Sequence, residues 1–192
     1  MGRCTECQGY TRQGQICHSY TSLMKRSRPL TYDEALSRAA ALCAKCEQCT
    51  PDLRRKMDSW GLSASDICRA IGRLQELGFV DDSRFARAYA HDKLVFSGWG
   101  RKKIIQGLWA KRLSRDNIDQ SFDGIDEEEY DSVARRVIRA KIRQSKDDIR
   151  TYEAKLKVLR FAMQRGFEAR LATNIINATA RSIADGEEDD RS

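Results

Sequence analysis

Between Gly78 and Ile104 the chain reads GFVDDSRFARAYAHDKLVFSGWGRKKI, and this stretch limits the fold more than any other. It holds a helix start, an aromatic-rich helix, a Gly-Trp-Gly break and a basic second helix. Weaker echoes lie on both sides, at Trp60-Gly61-Leu62-Ser63 and at Arg165-Gly166-Phe167. A short helical unit that recurs, with no catalytic cluster beside it, describes a binding scaffold better than an enzyme.

The chain has two prolines, Pro29 and Pro51, so nothing after residue 51 forces a break in a helix. Ala, Leu, Arg, Lys, Glu and Gln are plentiful, and runs of alternating β-branched residues are missing. The expectation is an all-α protein of tandem three-helix, helix-turn-helix-like repeats in an elongated, curved array. Residues 1–28 have no helical period and read as a flexible N-terminal extension. Repeats are expected over residues 29–80, 81–125 and 126–184, followed by an acidic disordered tail over 185–192.

Turn and cap chemistry sets the expected elements. Thr31-Tyr-Asp-Glu34 is a capping box with Leu30 as hydrophobic staple, opening a helix to about Gln48. Thr50 as N-cap and Pro51 in the first turn start the next, which Gly61 ends in left-handed conformation. Ser63 caps a third, with Ile67, Ile71, Leu74 and Leu77 as its apolar stripe. In the middle repeat Asp81 or Asp82 caps a helix, residues 101–112 form the second, and Ser114 caps a short third. The last repeat opens in the acidic run Asp126–Glu129, which suits a helix N-terminus. Its second helix, from about Ile149 to Arg165, is expected to bury Tyr152, Leu156, Leu159 and Met163. Its final helix carries Leu171, Ile175, Ile176 and Ile183. Trp60–Ile67 and Lys111–Ile118 share an aliphatic residue, a Ser cap and an Ile four residues after the Ser; Glu168 replaces that Ser in the last repeat.

The net charge of +7 is unevenly spread. Residues 1–28 carry +4, 29–80 carry 0, 81–125 and 126–165 carry +3 each, and 166–192 carry −3. A basic middle suits nucleic acid or an acidic protein surface. Arg101, Lys102, Lys103, Lys111, Arg112 and Arg115 form one cluster. Arg135, Arg139 and Arg143 form an i, i+4 stripe. Trp99 and Trp109 flank the first cluster and are expected to serve the core or a staple.

Chemistry-bearing constellations are scarce. No phosphate-cradling Gly-rich loop and no Gly-x-Ser-x-Gly occur, and only His18 and His91 are available for histidine chemistry. No enzyme activity and no cofactor are expected. Cys4, Cys7, Cys17 and His18 have the residue types of a zinc site, but adjacent Cys17 and His18 would both have to point inward from a very short loop. Cys43, Cys46 and Cys49 fall three apart on the expected first helix and read as small core fillers. Seven cysteines cannot all pair within one chain, no signal-peptide core is visible in residues 1–28, and no apolar run is long enough to span a bilayer. Reduced thiols in the cytoplasm are the expectation.

Asp81-Asp-Ser-Arg-Phe-Ala-Arg-Ala-Tyr-Ala90, Lys93, Gly98-Trp-Gly100 and Lys103-Ile104 together resemble RecX, the bacterial modulator of the RecA recombinase. Leu159–Phe167 looks like that family's third-repeat turn, and Tyr32–Ile71 is similar to its first repeat. The resemblance covers about residues 31–184; residues 1–28 have no counterpart in it. The Cys-bearing first helix and the Trp60-Gly61 turn look like versions from the Bacteroidetes branch. The resemblance implies a protein that binds the RecA filament on single-stranded DNA, and a monomer is expected. It also implies inhibition of ATP hydrolysis and strand exchange, and weak direct contact with DNA. The clustered cations are the expected contacts. Asp81, Asp82, Arg84, Phe85, Tyr89, Gly98, Trp99, Gly100, Gly166 and Phe167 are expected to be structural. A helix-turn-helix DNA-binding protein and a zinc- or redox-responsive adaptor are the rival readings.

Overall fold

The computed structural model describes residues 28–185. Cys4, Cys7, Cys17 and His18, nearly all of the expected N-terminal extension, and residues 186–192 of the expected tail lie outside the described residues. Those described form an all-helical chain: α1 (Tyr32–Lys45), α2 (Thr50–Ser59), α3 (Ala64–Glu76), α4 (Asp82–Val95), α5 (Arg101–Ala110), α6 (Arg115–Asp119) with a 3₁₀ turn (Gln120–Phe122), α7 (Glu127–Gln144), α8 (Tyr152–Arg165) and α9 (Ala169–Ala184). The helices follow one another as tandem triplets, as the recurring turns predict.

Local chemistry explains most ends. Thr31 and Glu34 form the expected capping box. Ser63 accepts the Asp66 amide at 3.1 Å, Ser114 accepts that of Asn117 at 3.2 Å, and Asp81 accepts those of Ser83 and Arg84. Thr151 caps α8 through the Ala154 amide. Gly61, Gly78 and Gly166 close α2, α3 and α8 at φ of 85°, 73° and 92°, a region in which glycine has no Cβ to clash.

The first helix is shorter than expected. It ends at Lys45, and Cys46 is fully extended at φ −161°. Cys43, Cys46 and Cys49 therefore do not share a helix. Cys49, not Thr50, is the N-cap of α2. The backbone reverses over these four residues because Thr50 and Pro51 begin a new helix. The Thr50 amide proton, left without an intrahelical acceptor, goes to the Asp82 carboxylate of the next triplet at 2.7 Å.

Two hydrophobic clusters hold the chain. One belongs to the first triplet, with Leu53, Met57, Ile71 and Leu74 at its centre. The other is shared by the second and third, with Leu94, Ile104, Leu108, Tyr130, Ile138 and Phe167. Cys49 belongs to the shared cluster although it precedes α2, so it is the apolar peg between first and second triplets.

Several expected core residues are exposed: Leu77 (50%), Tyr152 (71%), Met163 (50%) and Ile183 (46%). Leu77 and Ile183 stand past the last buried turn of their helices, whereas Tyr152 and Met163 lie off the inner stripe of α8, which is Ala154, Val158 and Ala162. Trp109 is 52% exposed because Ile104 and Leu108 already form the inner stripe of α5.

Candidate interaction surface

Two joints set the relative placement of the triplets, and both use cations that the sequence singled out. At the first joint Lys111, at the end of α5, donates to Asp52 on α2 at 2.7 Å. Its ammonium also lies 5.3 Å from the centre of the Phe85 ring. Arg84 donates to Glu47 at 2.6 Å, and Asp82 accepts from Thr50. Burial works to raise the Asp52 pKa, but the Lys111 hydrogen bond and charge, with Arg55, hold it below the usual carboxylate value. Burial pushes the Cys49 thiol up to about 11.

At the second joint the turns at Gly98–Gly100 and Gly166 meet backbone to backbone. The Gly100 amide donates to the Arg165 carbonyl at 2.8 Å, and the Lys102 amide to the Gly166 carbonyl at 3.1 Å. A Cβ on Gly100 would lie 2.3 Å from the Gly166 carbonyl carbon. Tyr130 is 1% exposed. Its hydroxyl accepts the Arg101 amide at 3.1 Å and donates to Glu168 at 2.8 Å. Burial, first among the causes, raises its pKa well above that of an ordinary phenol. Glu168 thus replaces the Ser cap of the other triplets because its longer side chain is needed across the joint. The Arg101 guanidinium stacks 4.0 Å over the Tyr130 ring and pairs with Glu127 at 2.6 Å. Lys103 and Lys93 sit 4.7 and 5.2 Å from the centre of Trp99. These aromatic faces offset the unfavourable placement of cations at the N-terminus of α5.

The predicted basic cluster is therefore split. Arg101, Lys103 and Lys111 are turned into the joints. Lys102, Arg112 and Arg115 are exposed, with Arg115 3.5 Å from Asp119. On α7, Arg135 pairs with Asp131 at 3.4 Å, Arg139 is half-buried and Arg143 exposed. Arg136, a neighbour of that stripe, donates to the Val95 carbonyl at 2.8 Å.

The motif residues take structural positions. Phe85 is buried and stacks on Tyr89 at 6.0 Å. Tyr89 fills the space beneath Gly107, where a Cβ would come within 2.3 Å of its hydroxyl. Gly98 stands against Val137, and Phe167 is fully buried against Tyr130. Sequence reasoning missed Glu47, Asp52, Tyr130 and Glu168. Glu168 left a signal, the lost Ser cap; the other three look like ordinary helix-surface residues.

No group of His, Cys, Asp and Glu among the described residues has a geometry that would hold a metal ion. None of these helices is long and apolar enough to cross a membrane.

The family model for the second three-helix domain of RecX matches residues 81–121. A curated relative, Regulatory protein RecX of Clostridium botulinum (strain Eklund 17B / Type B), is 29% identical over 65% of this chain, a match that spans 58% of that protein's length. Regulatory protein RecX of Mycobacterium sp. (strain JLS) is 25% identical over 78% of this chain and 84% of its own. The crystal structure of RecX from Lactobacillus salivarius has the same fold, with a TM-score of 0.67 at 17% identity, covering 77% of this chain and 95% of that one. Residues 81–121 thus match the RecX second three-helix domain, and the chain around them resembles RecX proteins in sequence and in fold.

Proposed function

We propose that this protein binds the RecA nucleoprotein filament on single-stranded DNA and restrains its ATPase and recombinase activity, thereby regulating DNA repair and recombination. The observation that supports this most is the RecX second domain at residues 81–121, set in a row of triplets locked by two polar joints. A rigid row of this kind can bridge neighbouring protomers of a filament. Lys102, Arg112, Arg115, Arg135, Arg139 and Arg143 are the contact candidates, toward acidic protein surfaces or DNA phosphates. Arg101, Lys103 and Lys111 act indirectly, by fixing the joints that present the others. The protein works as a monomer in the cytoplasm and makes or breaks no bond.

The test is single-stranded-DNA-dependent ATP hydrolysis by the cognate RecA, with this protein at substoichiometric and equimolar ratios. Suppression below one-to-one indicates capping or destabilisation of the filament; suppression only near one-to-one indicates occupancy along its groove. An unchanged rate with folded protein and active RecA rejects the reading. Charge reversal belongs at Lys102 and Arg115, because reversing Arg101 would also break its pair with Glu127 and its stack on Tyr130.

A further inference from the structure

Four helices of this chain end in the same hydrogen-bonded turn. Gly61, Gly78, Arg112 and Gly166 each donate their amide to the carbonyl three residues back, at 2.9, 3.0, 2.9 and 3.0 Å. The next residue, Leu62, Phe79, Leu113 or Phe167, donates to the carbonyl five back. All four turn residues have positive φ, and Arg112 at 60° is the one non-glycine with positive φ among the described residues. An L side chain in that region costs stability, and glycine is the ordinary occupant of such a helix end.

Packing does not account for the arginine. Its guanidinium makes no hydrogen bond or ion pair among the described residues, and the side chain is exposed. It borders a cleft of about 520 Å³ between α2, α3 and the end of α5, with Arg54 on the opposite wall. The other two cations of the lining are engaged: Asp52 holds both Arg55 and Lys111. Arg54 is exposed and meets only the weak acceptor Cys68 Sγ, at 3.4 Å. The floor is apolar, built from Pro51, Ala64, Ile67 and Ala110.

We propose that this cleft docks an acidic segment of a partner protein, with Arg112 and Arg54 gripping its carboxylates and the floor taking its apolar side chains. Planar guanidinium forks match carboxylates in a bidentate way. A nucleic-acid strand fits less well: no aromatic ring lines the cleft for a base to stack on, and Asp58 in the lining repels a continuous run of phosphates. The proposal deepens the filament reading by naming the chemistry of one contact, and rests on it only in taking the partner to be a protein.

The test uses the full chain with a fluorescein-labelled peptide of mixed Glu and Leu, and separately with labelled oligothymidylate. Fluorescence anisotropy reads affinity, and mass spectrometry after iodoacetamide treatment reads alkylation of Cys68 in the cleft against exposed Cys46 outside it. The peptide is expected to bind and to slow alkylation of Cys68 severalfold while leaving Cys46 unchanged. Arg112→Gly is expected to weaken binding about tenfold, the usual loss with a charged hydrogen-bonding partner, without lowering Tm. Unchanged affinity in Arg112→Gly, an unprotected Cys68, or protection by oligothymidylate in place of the peptide would each overturn the proposal. So would a lower Tm for Arg112→Gly, which would give the arginine an internal role. Because the peptide stands in for the recombinase, failure here leaves the ATPase result to decide the filament reading on its own.

Discussion

Asp82 caps a helix that is not its own. It occupies the first turn of α4, yet its carboxylate accepts the Thr50 amide at the start of α2, 2.7 Å away. One negative charge thus lies at the positive ends of two helices belonging to successive triplets. Asp82→Ala should destabilise the protein by about 1 kcal/mol, the usual loss with an N-cap. The loss should appear first in the first triplet, which has a hydrophobic cluster of its own. Hydrogen exchange checks this: faster exchange at Thr50 and through α2, with α7–α9 unchanged, is the expected pattern. Uniform acceleration across the chain would mean that Asp82 serves the whole fold and not the joint.

At the second joint the limiting feature is space. A Cβ on Gly100 would overlap the Gly166 backbone, and one on Gly166 would lie 2.5 Å from the Lys103 amide nitrogen. Backbone cannot swing aside as a side chain can, so Gly100→Ala should cost roughly 3 kcal/mol. For a chain of this size that lowers Tm by on the order of 10 °C. Gly78→Ala is the control. It meets nothing within 4 Å, so it should lose only about 1 kcal/mol for its left-handed backbone. Equal losses in the two variants would show that crowding at Gly100 is relieved by a shift of the turn.

Much of this architecture is legible in the residues, because capping and helix-ending chemistry is local. Thr31, Ser63, Asp81, Ser114 and the left-handed glycines declare themselves within four residues of sequence. The joints are not local. Asp52 with Lys111 and Tyr130 with Glu168 are pairs 59 and 38 residues apart, and nothing in the local sequence of either member names its partner. The same limit explains the basic clusters. Arg101 and Arg112 look alike in a charge count, but one stacks on Tyr130 and the other stands in an open cleft. Helical periodicity also carries an apolar stripe past the last buried turn, hence the exposed Leu77 and Ile183, and in α8 the small residues Ala154, Val158 and Ala162 take the inner face in place of the larger Tyr152 and Met163.

The cysteines of the first triplet should differ sharply in reactivity. Cys49 is fully buried and its thiol is pushed up to about 11, whereas Cys46 and Cys68 are exposed. Thiolate is the reacting species. Near pH 8 in the folded protein, iodoacetamide should modify Cys46 and Cys68 and spare Cys49, and all three should react in denaturant. Peptide mapping by mass spectrometry reads the sites directly. Early modification of Cys49 under native conditions would mean that the first joint opens readily.

Acid should loosen that same joint through Asp52. Its folded-state pKa lies below the ordinary aspartate value, because the hydrogen bond and charge of Lys111 outweigh the effect of burial. A carboxyl group with a depressed folded pKa contributes stability that is fully present above its unfolded value of about 3.9, and that is lost as pH falls through the folded value. Asp52→Asn removes the charge that Lys111 and Arg55 share and leaves one neutral amide oxygen as acceptor in place of two carboxylate oxygens. The variant should be less stable than the parent by about 1–2 kcal/mol at neutral pH, the range for a hydrogen bond between charged groups with some exposure. The gap should narrow below about pH 4, as the parent's own Asp52 takes up a proton. Urea unfolding of parent and variant across that range gives the comparison. A gap that persists undiminished in acid would mean that the carboxylate contributes by packing and not by charge. A gap absent at neutral pH would mean that Arg84 with Glu47 and Thr50 with Asp82 hold the joint without it.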